Sequence, residues 1–296
     1  MDQPPPSRWP RLTDLITEGP APVALLGAPL AAGSVTPSRC DLAPGIIRQA
    51  LRRFSTYDVE TRDELSLAIR DRGDVALGEL MPADAFEPVR DAASRSVSEH
   101  VLTLLLGGNN AITRPTTHAL GVPLERVGLI TLDAHFDLRD TDDGLSNGNP
   151  IRALLEDGLP GANICQIGLA PFANTAKMHR TADEAGIAVY TVDEVKHRGI
   201  LDILDEALDA LDHCEALMVD FDIDVIDRAQ CPGAPGARPG GLPVDLFFDA
   251  ARYLGSHPKV KLVDLTEFDP SLDVADITAL TAGRWVCEVL AGFANR

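Results

Sequence analysis

Short runs of apolar residues recur along the chain, and between them apolar residues return every three or four positions. A continuous apolar run closed by Gly or Pro is typical of a buried strand. A period of three to four residues is typical of an amphipathic helix. The predicted strands are residues 23–30, 101–106, 127–132, 164–169, 188–191, 216–219 and 260–265; the predicted helices include 44–54, 201–211, 246–254 and 279–293.

Buried strands that alternate with helices favour a mainly parallel sheet with helices on both faces. The predicted fold class is therefore α/β, a three-layer α/β/α sandwich. We find no internal repeat or linker in the 296 residues. Residues 1–20, which begin with a proline-rich stretch, are expected to form a flexible N-terminal arm, and residues 21–296 a single domain.

Charge and hydropathy exclude several classes of partner. The formal net charge is −19 and no Lys/Arg-rich run is present, which argues against nucleic acid and against anionic membrane surfaces. No apolar run approaches the roughly 20 residues that span a bilayer. Five scattered cysteines without a CxxC pair are typical of reduced thiols. With no apolar signal segment at the N-terminus, we expect a cytoplasmic protein.

The strongest chemical pattern is Asp133-Ala134-His135-Phe136-Asp137, which directly follows a predicted strand. Ligands of such sheets bind beyond the carboxyl ends of the strands. In an extended segment alternate residues point to one side, so two carboxylates and one imidazole converge. This donor set suits Mn²⁺. The alternative is a solvated turn with a structural histidine.

A second cluster, Asp220, Asp222 and Asp224, follows the predicted strand 216–219. Three acids on one side of a strand end repel one another unless a cation neutralises them. The alternative, in which each acid points to water, is disfavoured by the apolar residues on both sides of the cluster.

Two further strand ends carry weaker signals. Gly107-Gly108-Asn109-Asn110 follows strand 101–106; paired glycines allow a ligand to approach the backbone, and Asn110 offers an amide oxygen to a metal. Glu267 leaves strand 260–265 and is suited to bind a cationic amidinium. Taken alone, the first is commonly just a turn and the second an exposed acid.

In this order the four segments resemble those of the arginase/agmatinase/formimidoylglutamase (ureohydrolase) superfamily. Its pattern combines a GGDH-type turn, a DAHxD motif, an SxDxDxxDP segment followed by a loop ending PGG, and a late ExxP. Here these read GGNN (107–110), DAHFD (133–137), DFDIDVID (220–227) with PGAPGARPGG (232–241), and EFDP (267–270). The resemblance extends over roughly residues 22–293, including GAPL and PGIIRQAL near the N-terminus.

The resemblance implies an arginase-like fold and a site for two Mn²⁺ ions. Asp133 and Asp222 would bridge both ions, and His135 and Asp224 would complete the coordination of one. A bridging hydroxide would attack the planar carbon of a linear amidine or guanidine. Family members are often oligomers, so a homo-oligomer is expected.

Asp137 and Asn110 would complete the coordination of the other ion. Asp137 would also hold the hydroxide and carry its proton to the leaving nitrogen. Glu267 would orient the amidinium. Asn110 stands where the family has a histidine, and because an amide oxygen is the weaker ligand, this ion is expected to bind less tightly.

The loop 146–150, SNGNP, lacks the histidine that arginases carry there. Together with DAHFDLR (133–139), this loop resembles formimidoylglutamases, whose substrate is hydrolysed more easily than a guanidinium. We therefore expect hydrolysis of N-formimino-L-glutamate to glutamate and formamide, a step in histidine degradation. The candidates for substrate binding are Asn147, Asn149, Arg139, Arg152 and Glu267, with Arg114 as a further candidate for a carboxylate.

Two alternatives remain open at this point. One is another hydrolase of the same superfamily, acting on agmatine, a guanidino acid or an N-hydroxyguanidine. The other is a metal-poor, non-catalytic relative, which the Asn at position 110 suggests.

Overall fold

One parallel sheet, called the central sheet below, runs through the part of the chain that the computed structural model describes, residues 9–296. Its eight strands lie in the order β4-β1-β5-β10-β9-β6-β7-β8, and each neighbouring pair is parallel. The other two strands, β2 and β3, form a separate antiparallel pair. The strands are β1 Val23–Ala28, β2 Tyr57–Asp58, β3 Asp63–Glu64, β4 Ile69–Asp74, β5 Leu102–Gly107, β6 Val127–Leu132, β7 Ile164–Leu169, β8 Ala188–Thr191, β9 Ala216–Asp222 and β10 Val260–Thr266.

Helices cover both faces of the central sheet. Successive strand residues alternate between two hydrophobic cores, as the geometry of a strand requires: Leu104 lies in one core and Leu105 in the other. The first core includes residues of α1, α7, α8 and α9, and the second includes residues of α2, α4 and α5. The predicted three-layer sandwich is confirmed. The helices are α1 Ala43–Ala50, α2 Pro82–Glu99, α3 Thr113–His118, α4 Pro150–Asp157, α5 Ala176–Ala185, α6 Val192–Arg198, α7 Ile200–Ala210, α8 Val244–Ser256 and α9 Ile277–Phe293.

Each of the seven predicted strand runs overlaps a strand of the central sheet. The strand that the apolar pattern did not predict is β4, whose sequence is IRDRGD. It lies at the edge of the sheet, and only Ile69 of its residues is buried. Its acids pair with Arg48 of α1, at 2.8 Å to Asp71 and 2.6 Å to Asp74. An edge strand held by ion pairs lacks the apolar run that identifies a buried strand.

Part of the expected N-terminal arm, residues 1–20, packs on the rest of the chain. Residues 1–8 lie outside the described residues, but Leu12 begins a short 3₁₀-helix, Leu12–Leu15, and is fully buried. Its backbone N donates to the carbonyl of Phe54 at 3.0 Å, and Thr17 N donates to Ile69 O at 2.9 Å. Residues 12–17 therefore pack on the domain, because Leu12 fills part of the core.

The four strands that were expected to carry chemistry are adjacent in the middle of the central sheet, in the order β5-β10-β9-β6. Because all four are parallel, their carboxyl ends meet at one edge. Packing holds β9 firmly in place: the Phe221 ring lies 5.3 Å from Phe247 of α8 and 5.5 Å from Trp285 of α9. In residues 9–296, none of the helices is long and apolar enough to cross a membrane.

Candidate metal centre

Asp133, His135 and Asp224 form the tightest group of potential metal ligands at this edge. One donor atom from each lies within 4.8 Å of the others. His135 Nδ1 lies 3.1 Å from Asp224 Oδ2 and 3.4 Å from Asp133 Oδ1. These residues come from loops after two different strands, β6 and β9, so the expected convergence of the two motifs is present.

The electrostatics of this group are dominated by one imidazole between two buried acids. The charge of Asp224 raises the pKa of His135 to about 12. For Asp224, burial opposes ionisation, but the charge and hydrogen bond of His135 outweigh it and lower the pKa. Burial raises the pKa of Asp133 from 3.8 to about 6 despite its contact with His135. The imidazolium thus neutralises one of the two carboxylates.

Asp222 and Asp137 line a pocket together with His135 and Asp224, and they add further buried acid. Burial and the charge of Asp224 raise the pKa of Asp222 well above 3.8. Burial and the charge of Asp133 do the same for Asp137. Buried like charges can ionise together only when opposite charge is supplied, and a divalent cation supplies it.

The residues Asp133–Asp137 converge through a turn, and the expected alternation of an extended segment was wrong. Asp137 has φ 54°, in the left-handed region that non-glycine residues rarely adopt. Asn174, which follows β7, holds this turn: it accepts from Phe136 N at 2.9 Å and donates to Ala134 O at 2.9 Å. A fifth strand end, which the sequence pattern missed, therefore shapes the site.

Asn110 contacts the acid cluster through its side-chain nitrogen. Nδ2 donates to Asp137 Oδ2 at 2.7 Å, and Oδ1 accepts from the hydroxyls of Thr113 and Thr266, both at 2.9 Å. Hydroxyls can accept as well as donate, so a 180° rotation of the amide leaves both threonines paired and turns Oδ1 toward Asp137. Metal binding through the amide oxygen requires that rotation.

Glu267 is buried at the pocket wall and is held by two donors. The backbone N of Asn110 donates to Oε1 at 2.7 Å, and Asn147 Nδ2 donates to the same atom at 2.9 Å. Burial raises the pKa of Glu267 from 4.5 to about 7, although both hydrogen bonds oppose the shift. Like Asp137, Glu267 has a left-handed backbone, with φ 62°. Two strained acids in one pocket are a recurrent feature of functional sites.

The glycines around the site allow neighbouring chain segments to pack closely. A Cβ at Gly108 would collide with the backbone of Leu30, and one at Gly107 would lie 2.6 Å from the carbonyl oxygen of Leu265. The paired glycines therefore admit neighbouring chain segments, and the expectation that they admit a ligand was wrong. A Cβ at Gly236 would collide with the carboxylate of Asp224, so the PGAPGARPGG loop packs directly on the acid cluster.

The acids line a cavity of about 140 Å³. Arg139 and Asn147 lie at its wall, as predicted for residues that contact substrate. Asn147 also accepts a hydrogen bond from Val35 N at 2.8 Å. Its amide therefore connects two residues of the cavity wall, Val35 and Glu267. The sequence pattern missed Arg238, which lines the same cavity.

The structure does not bring three other predicted residues to this cavity. Asn149 is buried and binds the backbone of its own loop, at Ser146 N, Asp140 O and Gly144 O. Arg152 Nε donates to Glu156 at 2.7 Å on α4. Arg114 makes a two-pronged ion pair with Asp157, with both bonds at 2.7 Å. Each of these side chains is bound to an intramolecular partner and does not line the cavity.

A second layer of acid lies below the site. Asp220 and Asp264 occupy paired positions of β9 and β10 and are fully buried. Burial raises the pKa of Asp264 to about 7, and burial with the charge of Asp264 raises that of Asp220 well above 3.8. Asp220 Oδ1 lies 3.4 Å from Thr266 Oγ1, which connects this pair to Asn110.

The donor atoms fit a hard divalent cation. The cluster offers carboxylate oxygens and one imidazole nitrogen, a set that suits Mn²⁺ better than metals that prefer thiolates. Among the pocket-lining residues of the described chain, four acidic side chains face three basic ones, His135, Arg139 and Arg238. A bound cation relieves this excess of negative charge.

A sequence profile of the arginase family matches residues 21–292. The chain therefore belongs to the arginase family, as its motifs predicted.

Particular members resemble it over most of their length. Formimidoylglutamase of Halalkalibacterium halodurans is 34% identical, over 90% of this chain and 86% of that protein. The crystal structure of formimidoylglutamase from Bacillus subtilis has a TM-score of 0.92 at 29% identity, over 98% of this chain and 94% of that chain. A crystal structure of Trypanosoma cruzi formiminoglutamase with Mn2+2 shares the fold, with a TM-score of 0.90 at 23% identity, over 97% of this chain and 99% of that one.

Proposed function

We propose that this chain is a manganese-dependent formimidoylglutamase, which hydrolyses N-formimino-L-glutamate to L-glutamate and formamide. The similarity to formimidoylglutamase over 90% of the chain carries the choice of substrate. The cluster of Asp133, His135 and Asp224 at a cavity of about 140 Å³ supports metal-dependent chemistry.

In this proposal two Mn²⁺ ions are held by carboxylates and the imidazole at the strand ends. Asp133 and Asp222 would be shared by the two ions, His135 and Asp224 would help to hold one of them, and Asp137 with Asn110 would help to hold the other. When bound, the ions would lower the pKa of water in the site, so that hydroxide would form near neutral pH. Asn110 would offer its oxygen to the metal after the amide rotation that Thr113 and Thr266 permit.

Residues of the chain bind and orient the substrate, and one of them moves a proton. The carboxylate of Glu267, already fixed by Asn110 N and Asn147, orients the cationic formimino group. The oxygen of water adds to the formimino carbon, and the bond from that carbon to the glutamate nitrogen breaks. Asp137 accepts the proton of the attacking water and delivers it to the glutamate nitrogen. The products are formamide and glutamate, so atoms and charge balance.

The test is a panel of substrates offered to purified protein with Mn²⁺. N-formimino-L-glutamate, agmatine, arginine and N-hydroxyarginine are assayed side by side for release of glutamate, formamide or urea. We expect glutamate and formamide from the first substrate alone. Urea from a guanidine without turnover of the first substrate would assign the chain to another activity of the family.

A matched variant tests the metal site. Asp224→Asn removes one donor charge at nearly constant volume, and we expect it to abolish metal binding at one site and to lower activity by at least about 100-fold. Metal content is measured in the same samples. A wild-type protein that binds no Mn²⁺ even after reconstitution would instead be a non-catalytic relative.

We also propose that the enzyme acts in histidine degradation, in the cytoplasm, as a homo-oligomer. All five cysteines lie within residues 9–296 and are free thiols, which fits a reducing compartment. Light scattering of the purified protein determines the number of subunits, and a monomer would contradict the last part of the proposal.

A further inference from the structure

The rim of the cavity carries opposite charge to its floor. The floor is formed by the acids Asp137, Asp222, Asp224 and Glu267. The rim is formed by two arginines that also line the cavity, Arg139 and Arg238. Both arginines are exposed. A substrate that carries its own carboxylates would be repelled by the floor and attracted to this rim.

Arg139 is presented by the loop after β6. Its backbone N donates to Gly148 O at 3.1 Å. A Cβ at Gly148 would lie 2.6 Å from Arg139 Cδ and 2.9 Å from Nε, so the stem of the arginine packs on a glycine backbone. Among the residues that the structure describes, none forms an ion pair with its guanidinium.

Arg238 is presented by the loop that packs on Asp224. Its Nη1 donates to Gly236 O at 2.6 Å and to Ala237 O at 3.3 Å. In residues 9–296 no further partner is found, so Nε and Nη2 stay uncommitted. These two nitrogens form the edge of a guanidinium that binds a carboxylate with two parallel hydrogen bonds.

The loop around Arg238 is fixed from both sides, so the arginine is held in place before substrate arrives. Arg228 N donates to Arg238 O at 3.1 Å, and Arg228 Nη1 donates to Ala234 O at 2.9 Å and Pro235 O at 3.2 Å. Gly236 lies against the Asp224 carboxylate. Arg238 therefore follows, by two positions in the sequence, a glycine that contacts the floor of the cavity.

We propose that Arg238 binds one of the two carboxylates of the substrate and Arg139 the other. This pair would restrict the enzyme to N-formimino amino acids that carry two carboxylates. The inference rests on the proposed function and adds to it Arg238 as a residue that determines specificity.

The test combines variants with truncated substrates. The substrates are N-formimino-L-glutamate, N-formimino-L-glutamine, which lacks the side-chain carboxylate, and 4-(formimidoylamino)butanoate, which lacks the α-carboxylate. The variants are Arg238→Gln and Arg139→Gln. Arg126→Gln is the matched control, because Arg126 pairs with Glu215 and lies before β6, away from the carboxyl ends of the strands.

For Arg238→Gln we expect KM for N-formimino-L-glutamate to rise about 10- to 100-fold while kcat stays nearly constant, as for loss of a charge-assisted carboxylate contact. For one of the two truncated substrates KM should not change, and that substrate identifies the carboxylate that Arg238 binds. Arg139→Gln should spare the other truncated substrate. Arg126→Gln should behave like wild type.

Two outcomes would overturn the inference. One is an unchanged KM for N-formimino-L-glutamate in Arg238→Gln; the other is an equal loss on all three substrates in a variant that melts like wild type. The proposed function survives either outcome if the wild-type protein releases glutamate from N-formimino-L-glutamate. A wild type that hydrolyses none of the three substrates would refute the proposed function and this inference with it.

Discussion

The side-chain nitrogen of Asn110 donates a 2.7 Å hydrogen bond to Oδ2 of Asp137. This contact joins the strand end of β5 to that of β6, across the two strands that separate them in the central sheet. It also orients a carboxylate whose backbone is strained. Asn110 therefore has two possible contributions, as the donor that positions Asp137 and, after rotation of its amide, as a metal ligand.

Replacement of Asn110 tests these contributions. Asn110→Ala removes both, and we expect Mn²⁺ affinity to fall about 10- to 100-fold. Asn110→His supplies a stronger ligand than an amide and should tighten binding. Both are measured by titration of metal-depleted protein with Mn²⁺. An affinity that is unchanged in both variants would place Asn110 outside the coordination shell.

The buried acids predict how the stability of metal-free protein depends on pH. The pKa values of Asp133, Asp264 and Glu267 are raised to about 6, 7 and 7, and that of His135 to about 12. A group with a raised pKa stabilises the fold fully below its unfolded pKa and loses that contribution as pH rises through the folded value. Chelator-treated protein should therefore melt at a higher temperature at pH 5 than at pH 8.

The variant Asp264→Asn serves as the control for this dependence. It removes one titrating carboxyl without adding charge, so melting temperature should fall less steeply between pH 5 and pH 8. Mn²⁺ binding should show the opposite trend, weakening from pH 8 to pH 6, because the ligands must lose their protons. A metal-free protein whose stability rises with pH over this range would contradict the assignment of buried protonated acids.

Gly236 should be intolerant of a side chain. Gly236→Ala pushes the new methyl group against the Asp224 carboxylate, and we expect Mn²⁺ affinity to fall at least about tenfold. Gly45→Ala is the matched control, because nothing lies within 4 Å of a Cβ at that position of α1. That control should bind metal normally and gain up to about 1 kcal/mol of stability. Equal metal affinity in the two variants would show that the PGAPGARPGG loop can move to accommodate the methyl group without disturbing Asp224.

Phe221 connects core packing to the metal centre, because its neighbours along β9 are Asp220 and Asp222. Phe221→Ala should reduce the free energy of unfolding by about 3–5 kcal/mol and weaken metal binding with it. Phe172, which is fully exposed, provides the comparison; Phe172→Ala should change stability by less than about 0.5 kcal/mol. Denaturant unfolding measures both. A loss of stability in Phe221→Ala with unaltered metal affinity would show that packing around Phe221 does not influence the metal centre.

Much of the site could be predicted from local sequence. The acids of DAHFD and DFDID follow apolar strands directly, so the rule that ligands bind at strand ends was enough to select Asp133, His135 and Asp224. The same local reasoning failed for Arg152 and Arg114. A charged side chain takes the nearest partner, which for both residues is an acid of α4. Glu156 lies four positions after Arg152 on the same helix, a pairing that helix spacing allows, whereas Asp157 lies 43 positions from Arg114 and no spacing rule identifies it.

The sequence by itself determined the approximate positions of seven of the eight strands of the central sheet, the burial of both faces of that sheet, and the family, because apolar runs and motif order are local properties of the chain. Only the tertiary structure decided that β10, the last strand, lies between β5 and β9. That placement brings Glu267 to Asn110 and Asp264 to Asp220. Contacts between residues so far apart along the chain depend on how whole strands and helices pack, which no short segment encodes.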